Sequence, residues 1–165
     1  MPRDQELRAQ RLVFYEQDVE RLEGEMDAFL ELSGAKCVLL IDKEGHLVTR
    51  RGEPLGGSME SISALIAGSF AATKEMARLL GEDEFTILFH QGARDSIQLQ
   101  LVGERTLMAV LFDERTNLGL VRFYAQETAR HLTEIFDEMA LRAPAAVCLS
   151  QDFGADAAAA LDSIL

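Results

Sequence analysis

At 165 residues, 48% of them apolar and 27% charged, the chain suits one domain able to bury its own core, and neither a collagen-like nor a disordered class fits. A formal net charge of −12, with acids dense from Glu16 to Glu31, repels phosphate backbones and anionic lipid, which excludes nucleic acid and the bare membrane surface as partners. No apolar run approaches the roughly 20 residues of a membrane span, and the opening MPRDQELRAQ lacks a signal-peptide core, so the expected location is cytoplasmic with no direct membrane insertion.

Residues 1–15 are set apart as an N-terminal extension without an assigned role. From Glu16 to Ser33, Val19, Leu22, Met26, Phe29 and Leu30 recur at helical spacing against an acidic remainder, and Gly34 stops this first helix. Cys37-Val38-Leu39-Leu40-Ile41 is apolar on both pleat faces, as a covered central strand requires, and Asp42-Lys43-Glu44-Gly45 turns it back into Leu47-Val48-Thr49. Gly56-Gly57-Ser58 opens a second helix with Ser58 as N-cap, running to Leu80 with Gly81 as C-cap. Three strands follow, at Phe85 to His90, at Ser96 to Val102, where Ile97, Leu99 and Leu101 alternate with Gln98 and Gln100, and at Thr106 to Phe112.

A third helix starts near Thr116 or Asn117 and carries Leu118, Val121, Ala125, Ala129, Leu132, Ile135, Phe136 and Met139 on one stripe. Ala143-Pro144-Ala145-Ala146 breaks that pattern, giving a domain over 16–141, a linker over 142–152 and a conditional C-terminal helix over 153–165. The order α-β-β-α-β-β-β-α plus tail implies an α/β (α+β) domain, a five-stranded, mostly antiparallel sheet flanked by three helices. The two fully apolar strands belong in its middle. The third strand then lies at an edge, where Phe85, Ile87, Leu88 and Phe89, with no proline or lysine, make it adhesive. Pairing with the same strand of a second copy, or cover by a loop, satisfies that edge.

Chemistry has little foothold. His46, His90 and His131 have no second histidine or cysteine at ligand spacing, and no phosphate-loop or nucleophile-elbow motif occurs. Gly56-Gly57-Ser58 suits a plain capped helix start better than a phosphate cradle, and Glu82-Asp83-Glu84 is a solvated turn. Cys37 and Cys148 read as reduced thiols, and no basic residue is identifiable beside Cys37 to activate it. Neither an active site, a metal site nor a cofactor is expected.

The anomaly is in the second helix. At 100° per residue Ile62, Ile66, Ser69, Thr73, Met76, Ala77 and Leu80 form the core stripe, and the opposite side carries Ala64, Ala67, Gly68 and Ala71. Ala72 lies at its margin, and Glu60, Lys74, Glu75 and Arg78 surround it. Alanine is a strong helix former and accounts for part of such a face by itself, but Gly68 costs about 1 kcal/mol relative to alanine, which points to something approaching the backbone.

The order of elements together with VLLIDKEGHLV, ALIAGSFAATKEMARLLGEDEF and FHQGARDSIQLQLVGERTLMAVLFDERTNLGLVRF resembles the Roadblock family related to dynein light chains, and within it the bacterial MglB proteins. The likeness covers about residues 12 to 141 and continues loosely into Phe153 and Leu161 to Leu165. It implies a Roadblock domain forming a homodimer through the third strand, with two second helices side by side. It further implies a GTPase-activating partner of a small Ras-like, MglA-type GTPase in cell polarity and gliding motility, concentrated at a cell pole. Two copies engage one GTPase on Glu60, Ala64, Ala67, Gly68, Ala71, Ala72 and Glu75, and order its own catalytic residues without supplying an arginine finger. The loop arginines Arg94, Arg105 and Arg115 are formally available as fingers but lie away from the small-residue face. A tail carrying Phe153, Leu161, Ile164 and Leu165 is expected to make a second contact with the GTPase. The alternative is a scaffold that tethers a GTPase or motor complex and leaves hydrolysis unchanged.

Overall fold

A computed structural model describes the backbone of residues 16–164 and the side chains of residues 16–142. The expected N-terminal extension, and the side chains of the expected tail contact at Phe153, Leu161, Ile164 and Leu165, lie outside the described residues.

The elements are α1 (Glu16–Ser33), β1 (Cys37–Asp42), β2 (Leu47–Gly52), α2 (Met59–Leu80), β3 (Ile87–Gln91), β4 (Ser96–Val102), β5 (Thr106–Phe112) and α3 (Leu118–Ile164). Their order is the expected one. The sheet runs β2-β1-β5-β4-β3, and every pairing is antiparallel, with Val38 opposite Val110 and Leu88 opposite Leu99. β1 and β5 sit side by side inside it because helices cover both of their faces, which apolar runs without alternation require.

Two cores result. On one face, Leu22, Met26 and Phe29 of α1 and Val121, Ala125 and Leu132 of α3 close over Val38, Leu40, Met108, Val110 and Phe112. On the other, Ile66 and Phe70 of α2 pack over Cys37, Leu39, Ile41, Leu99, Leu107 and Ala109. Gln98 and Gln100, read as a polar face, are buried on the α1/α3 side of β4, their side-chain amides 3.5 Å apart. The covering α3 turns alternation that looks like a half-exposed strand into a buried polar pair.

Local chemistry fixes the joints. Gly34, in the left-handed region at φ 72°, ends α1 with its N–H on the Leu30 carbonyl, and Gly52 at φ 106° closes β2 where any Cβ would lie 2.3 Å from the Lys36 carbonyl oxygen. Asn117 caps α3 by accepting from the Leu120 N–H at 3.0 Å. α3 then continues through 142–152, where a linker was expected. The helix passes Pro144, which supplies no backbone donor, in a stretch rich in the helix former alanine. Among the described residues no helix is long and apolar enough to cross a membrane.

Candidate functional site: the outer face of α2 and the β3 edge

α2 is a well-delimited helix. The Ser58 side chain accepts from the Ser61 N–H at 3.3 Å, so the Gly-Gly-Ser stretch acts as a capped start, and Gly81 at φ 81° ends the helix with its N–H on the carbonyls of Ala77 and Arg78. Its buried residues are Ser63, Ile66, Ala67, Phe70, Thr73 and Ala77. That stripe is turned by roughly 60° from the one expected, at 100° per residue. Phe70 lies at its centre, while Ser69, Met76 and Leu80 are exposed instead of forming core.

The turn corrects one proposed contact residue: Ala67 is only 6% exposed and faces inward. It and Ala64 serve the chain's own packing, since the β1–β2 turn rests on them. A Cβ at Gly45 would stand 3.1 Å from the Ala64 Cα and 3.6 Å from the Ala67 Cβ. Gly68 is different, because beyond its own stretch of helix no atom of the described residues lies within 4 Å of where its Cβ would be. Gly68, Ala71 and Ala72 are exposed together with Ala64, Glu60 and Glu75. Sequence reading missed the large apolar residues on the same outer surface, Leu65 at 70% and Leu79 at 72% exposure, beside Met76 and Leu80. Placing Phe70 inward would have found them, since Leu65, Ala72, Met76 and Leu79 then fall opposite it.

Charge on this surface is sparse and ordered. Glu75 accepts two bonds from Arg78, at 2.9 and 2.5 Å, and the pair lies at the margin of the small residues. Lys74 and Glu60 are exposed nearby on the same helix.

β3 is an edge strand, bonded to β4 alone among the described residues. It begins at Ile87, two residues later than expected, leaving Phe85 half-buried before the strand. Phe89 stacks on Phe112 with ring centroids 6.0 Å apart and joins the α1/α3 core. Leu88 points to the opposite side and, with Ile97 and Leu101, is only partly buried against the α2 core. One helix does not roof five strands, and the β3–β4 end of that face stays half-open.

The remaining candidates are tied into the fold. Arg115 donates to both Glu53 oxygens at 3.2 and 3.1 Å and to Asp113 at 3.0 Å, holding both carboxyls below the usual carboxylate range. His46 is not isolated: its Nδ1 is 3.1 Å from Asp42 and 3.8 Å from Glu44, in a turn where Asp42 also accepts from the Glu44 and His46 N–H groups. His131 lies 3.1 Å from Glu25 between α1 and α3. Cys37 does have a basic neighbour, Arg50, but burial outweighs it and pushes the thiol up, away from a reactive thiolate.

The family model described as Roadblock/LC7 domain matches residues 23–112. Among solved structures, MglB from Myxococcus xanthus is 38% identical at a TM-score of 0.73, covering 78% of this chain and 96% of its own. The gliding protein MglB from Thermus thermophilus is 32% identical at a TM-score of 0.73, covering 77% and 96%. A third, an MglB with a tetrameric arrangement, is 32% identical at a TM-score of 0.74, covering 78% and 96%. A comparison with curated protein sequences finds no match. With more than half its length matched by the domain and these relatives aligned over most of theirs, the chain belongs to the Roadblock/LC7 family and is similar within it to the MglB proteins.

Proposed function

We propose that this chain is a homodimeric GTPase-activating partner of a small Ras-like, MglA-type GTPase, acting in bacterial cell polarity and motility from a cell pole and having no active site of its own. The observation that carries the reading is an exposed α2 surface combining a bare Gly68 with Ala71, Ala72, Leu65 and Leu79, on a fold whose relatives are MglB proteins. An exposed apolar surface of this kind is what an interface with another protein uses.

In the dimer, β3 edges of two copies join, and the half-open end of the sheet beside Leu88, Ile97 and Leu101 is roofed by the two α2 helices lying together. Leu65, Met76 and Leu79 then face the sister helix or the rim, and Gly68, Ala71 and Ala72, flanked by Glu60 and Glu75, receive the GTPase across both copies. Activation proceeds by selecting the GTPase's competent switch geometry. Arg115, anchored by Glu53 and Asp113, supports that over an arginine finger from this loop. The tail at Phe153, Leu161, Ile164 and Leu165 supplies a second contact.

The test is single-turnover hydrolysis of GTP by an MglA-type GTPase with and without the purified chain. Acceleration, with no hydrolysis by the chain alone, supports the reading. Binding without acceleration replaces it with a tethering scaffold.

A further inference from the structure

The turn between β1 and β2 gathers three side chains able to ligate a metal. Asp42, Glu44 and His46 alternate along it, and one ligand atom from each lies within 4.8 Å of the others. His46 Nδ1 is 3.1 Å from Asp42 Oδ2 and 3.8 Å from Glu44 Oε2. The backbone aims Asp42: its other oxygen, Oδ1, accepts from the Glu44 and His46 N–H groups at 3.0 and 2.8 Å, which turns Oδ2 toward the imidazole. The Asp42 N–H donates to the His46 carbonyl at 2.9 Å, so the two ends of the cluster are also joined through the main chain.

Charge sets this cluster apart from the other paired carboxylates. Glu53 and Asp113 share Arg115, Glu23 and Asp27 share Arg51, and Asp95 and Asp113 share Lys36. Between Asp42 and Glu44 the chain does carry a cation, Lys43, but its ammonium is turned to Glu84 at 3.5 Å. Among the described residues no lysine or arginine forms an ion pair with Asp42 or Glu44, and the two carboxylates converge on an imidazole instead. One imidazole nitrogen with two carboxylate oxygens is a ligand set, and the counter-charge it lacks is that of a divalent cation.

We propose that Asp42, Glu44 and His46 bind zinc, or a first-row divalent cation of the same chemistry, through Asp42 Oδ2, a Glu44 carboxylate oxygen and His46 Nδ1, with water completing the shell. Around a tetrahedral zinc with bonds of roughly 2.0–2.2 Å, ligand atoms stand about 3.4 Å apart. Asp42 and His46, at 3.1 Å, are close to that spacing, and the exposed Glu44 side chain reaches it by rotation. The nitrogen donor favours zinc over magnesium and calcium, which take oxygen ligands. The turn rests on α2, where a Cβ at Gly45 would stand 3.1 Å from the Ala64 Cα, so an ion that ties Asp42 to His46 stiffens the support of that helix. The inference does not rest on the GTPase reading.

The experiment titrates Zn²⁺ into the full chain by calorimetry in neutral buffer and follows the melting temperature with and without the ion. A single site per chain is expected, with a rise in melting temperature on binding, and Mg²⁺ at the same concentration is expected to give neither. Glu44→Gln and His46→Gln each weaken Zn²⁺ binding at least about tenfold and remove the rise, whereas His131→Gln and Cys148→Ser alter binding by less than about twofold. Both cluster substitutions fall on exposed side chains, so the metal-free variants melt with wild type. Should His46→Gln melt lower, Glu44→Gln decides alone. No Zn²⁺ binding, binding that survives in the cluster variants, equal weakening by His131→Gln or Cys148→Ser, or an equal response to Mg²⁺ overturns the proposal.

Discussion

The two faces of the sheet are built to different degrees of completion. Toward α1 and α3 the roof has two helices, one continuous core from Leu22 to Met139, and ion pairs clamping helix to helix. Toward α2 there is a single helix set over β1 and β2, a smaller core, and a row of half-buried residues at Leu88, Ile97 and Leu101. The helix's outer surface is apolar where lysine and glutamate would serve solubility. A face completed within the chain holds the fold, and a face left incomplete invites other chains.

That contrast breaks first in the core. Phe29→Ala, on the finished face, is expected to cost about 3–5 kcal/mol in denaturant unfolding, because a fully buried ring leaves a cavity between α1 and the sheet. On the other face, Leu65→Ser with Leu79→Ser is expected to leave secondary structure intact by circular dichroism. The pair should weaken self-association by about 100-fold, or about 2.7 kcal/mol, in sedimentation equilibrium. Unchanged self-association would mean that these leucines do not cover one another. A smaller effect with the opposite sign is expected at Gly24→Ala, which raises stability by about 1 kcal/mol since the site is open and helical.

The smallest effect is electrostatic. Glu53 and Asp113 titrate below the usual carboxylate range because Arg115 donates to them, and Glu138 does so because of Arg21. Lowered folded-state values mean that these pairs stabilise the protein above the ordinary carboxylate range near about 4, and that the contribution is lost as pH falls through the lowered values. All are exposed, so the loss is slight. Arg115→Ala should lower the melting temperature slightly at neutral pH and leave it unchanged in acid, so the acid limb of the melting-temperature profile flattens.

Much of the fold was legible from the chain. α1 ran between its expected bounds because five apolar residues kept helical spacing up to a glycine, and β1 and β5 sat centrally because neither alternates. The rotation of α2 was not legible. A helix with apolar residues all round satisfies more than one stripe, and only contact with the sheet selects Phe70 and the small Ser63 and Ala67 as the inward set. For the same reason Ala67 left the candidate surface while Leu65 and Leu79 joined it. Burial of Gln98 depended on where α3 settles, and the His46 cluster on a turn whose Asp42 bonds curl the backbone. Both are tertiary facts without a local signature.

Under the proposed function the incomplete α2 face, and not the clamped one, engages the GTPase. Single-turnover GTP hydrolysis by an MglA-type GTPase with wild type, Gly68→Arg and Phe123→Ser tests it most directly, since both substitutions fall on exposed positions of different faces. Acceleration is expected with wild type and Phe123→Ser and none with Gly68→Arg, that variant's helical content being unchanged. Full acceleration by a folded Gly68→Arg, or its loss in Phe123→Ser alone, would contradict it.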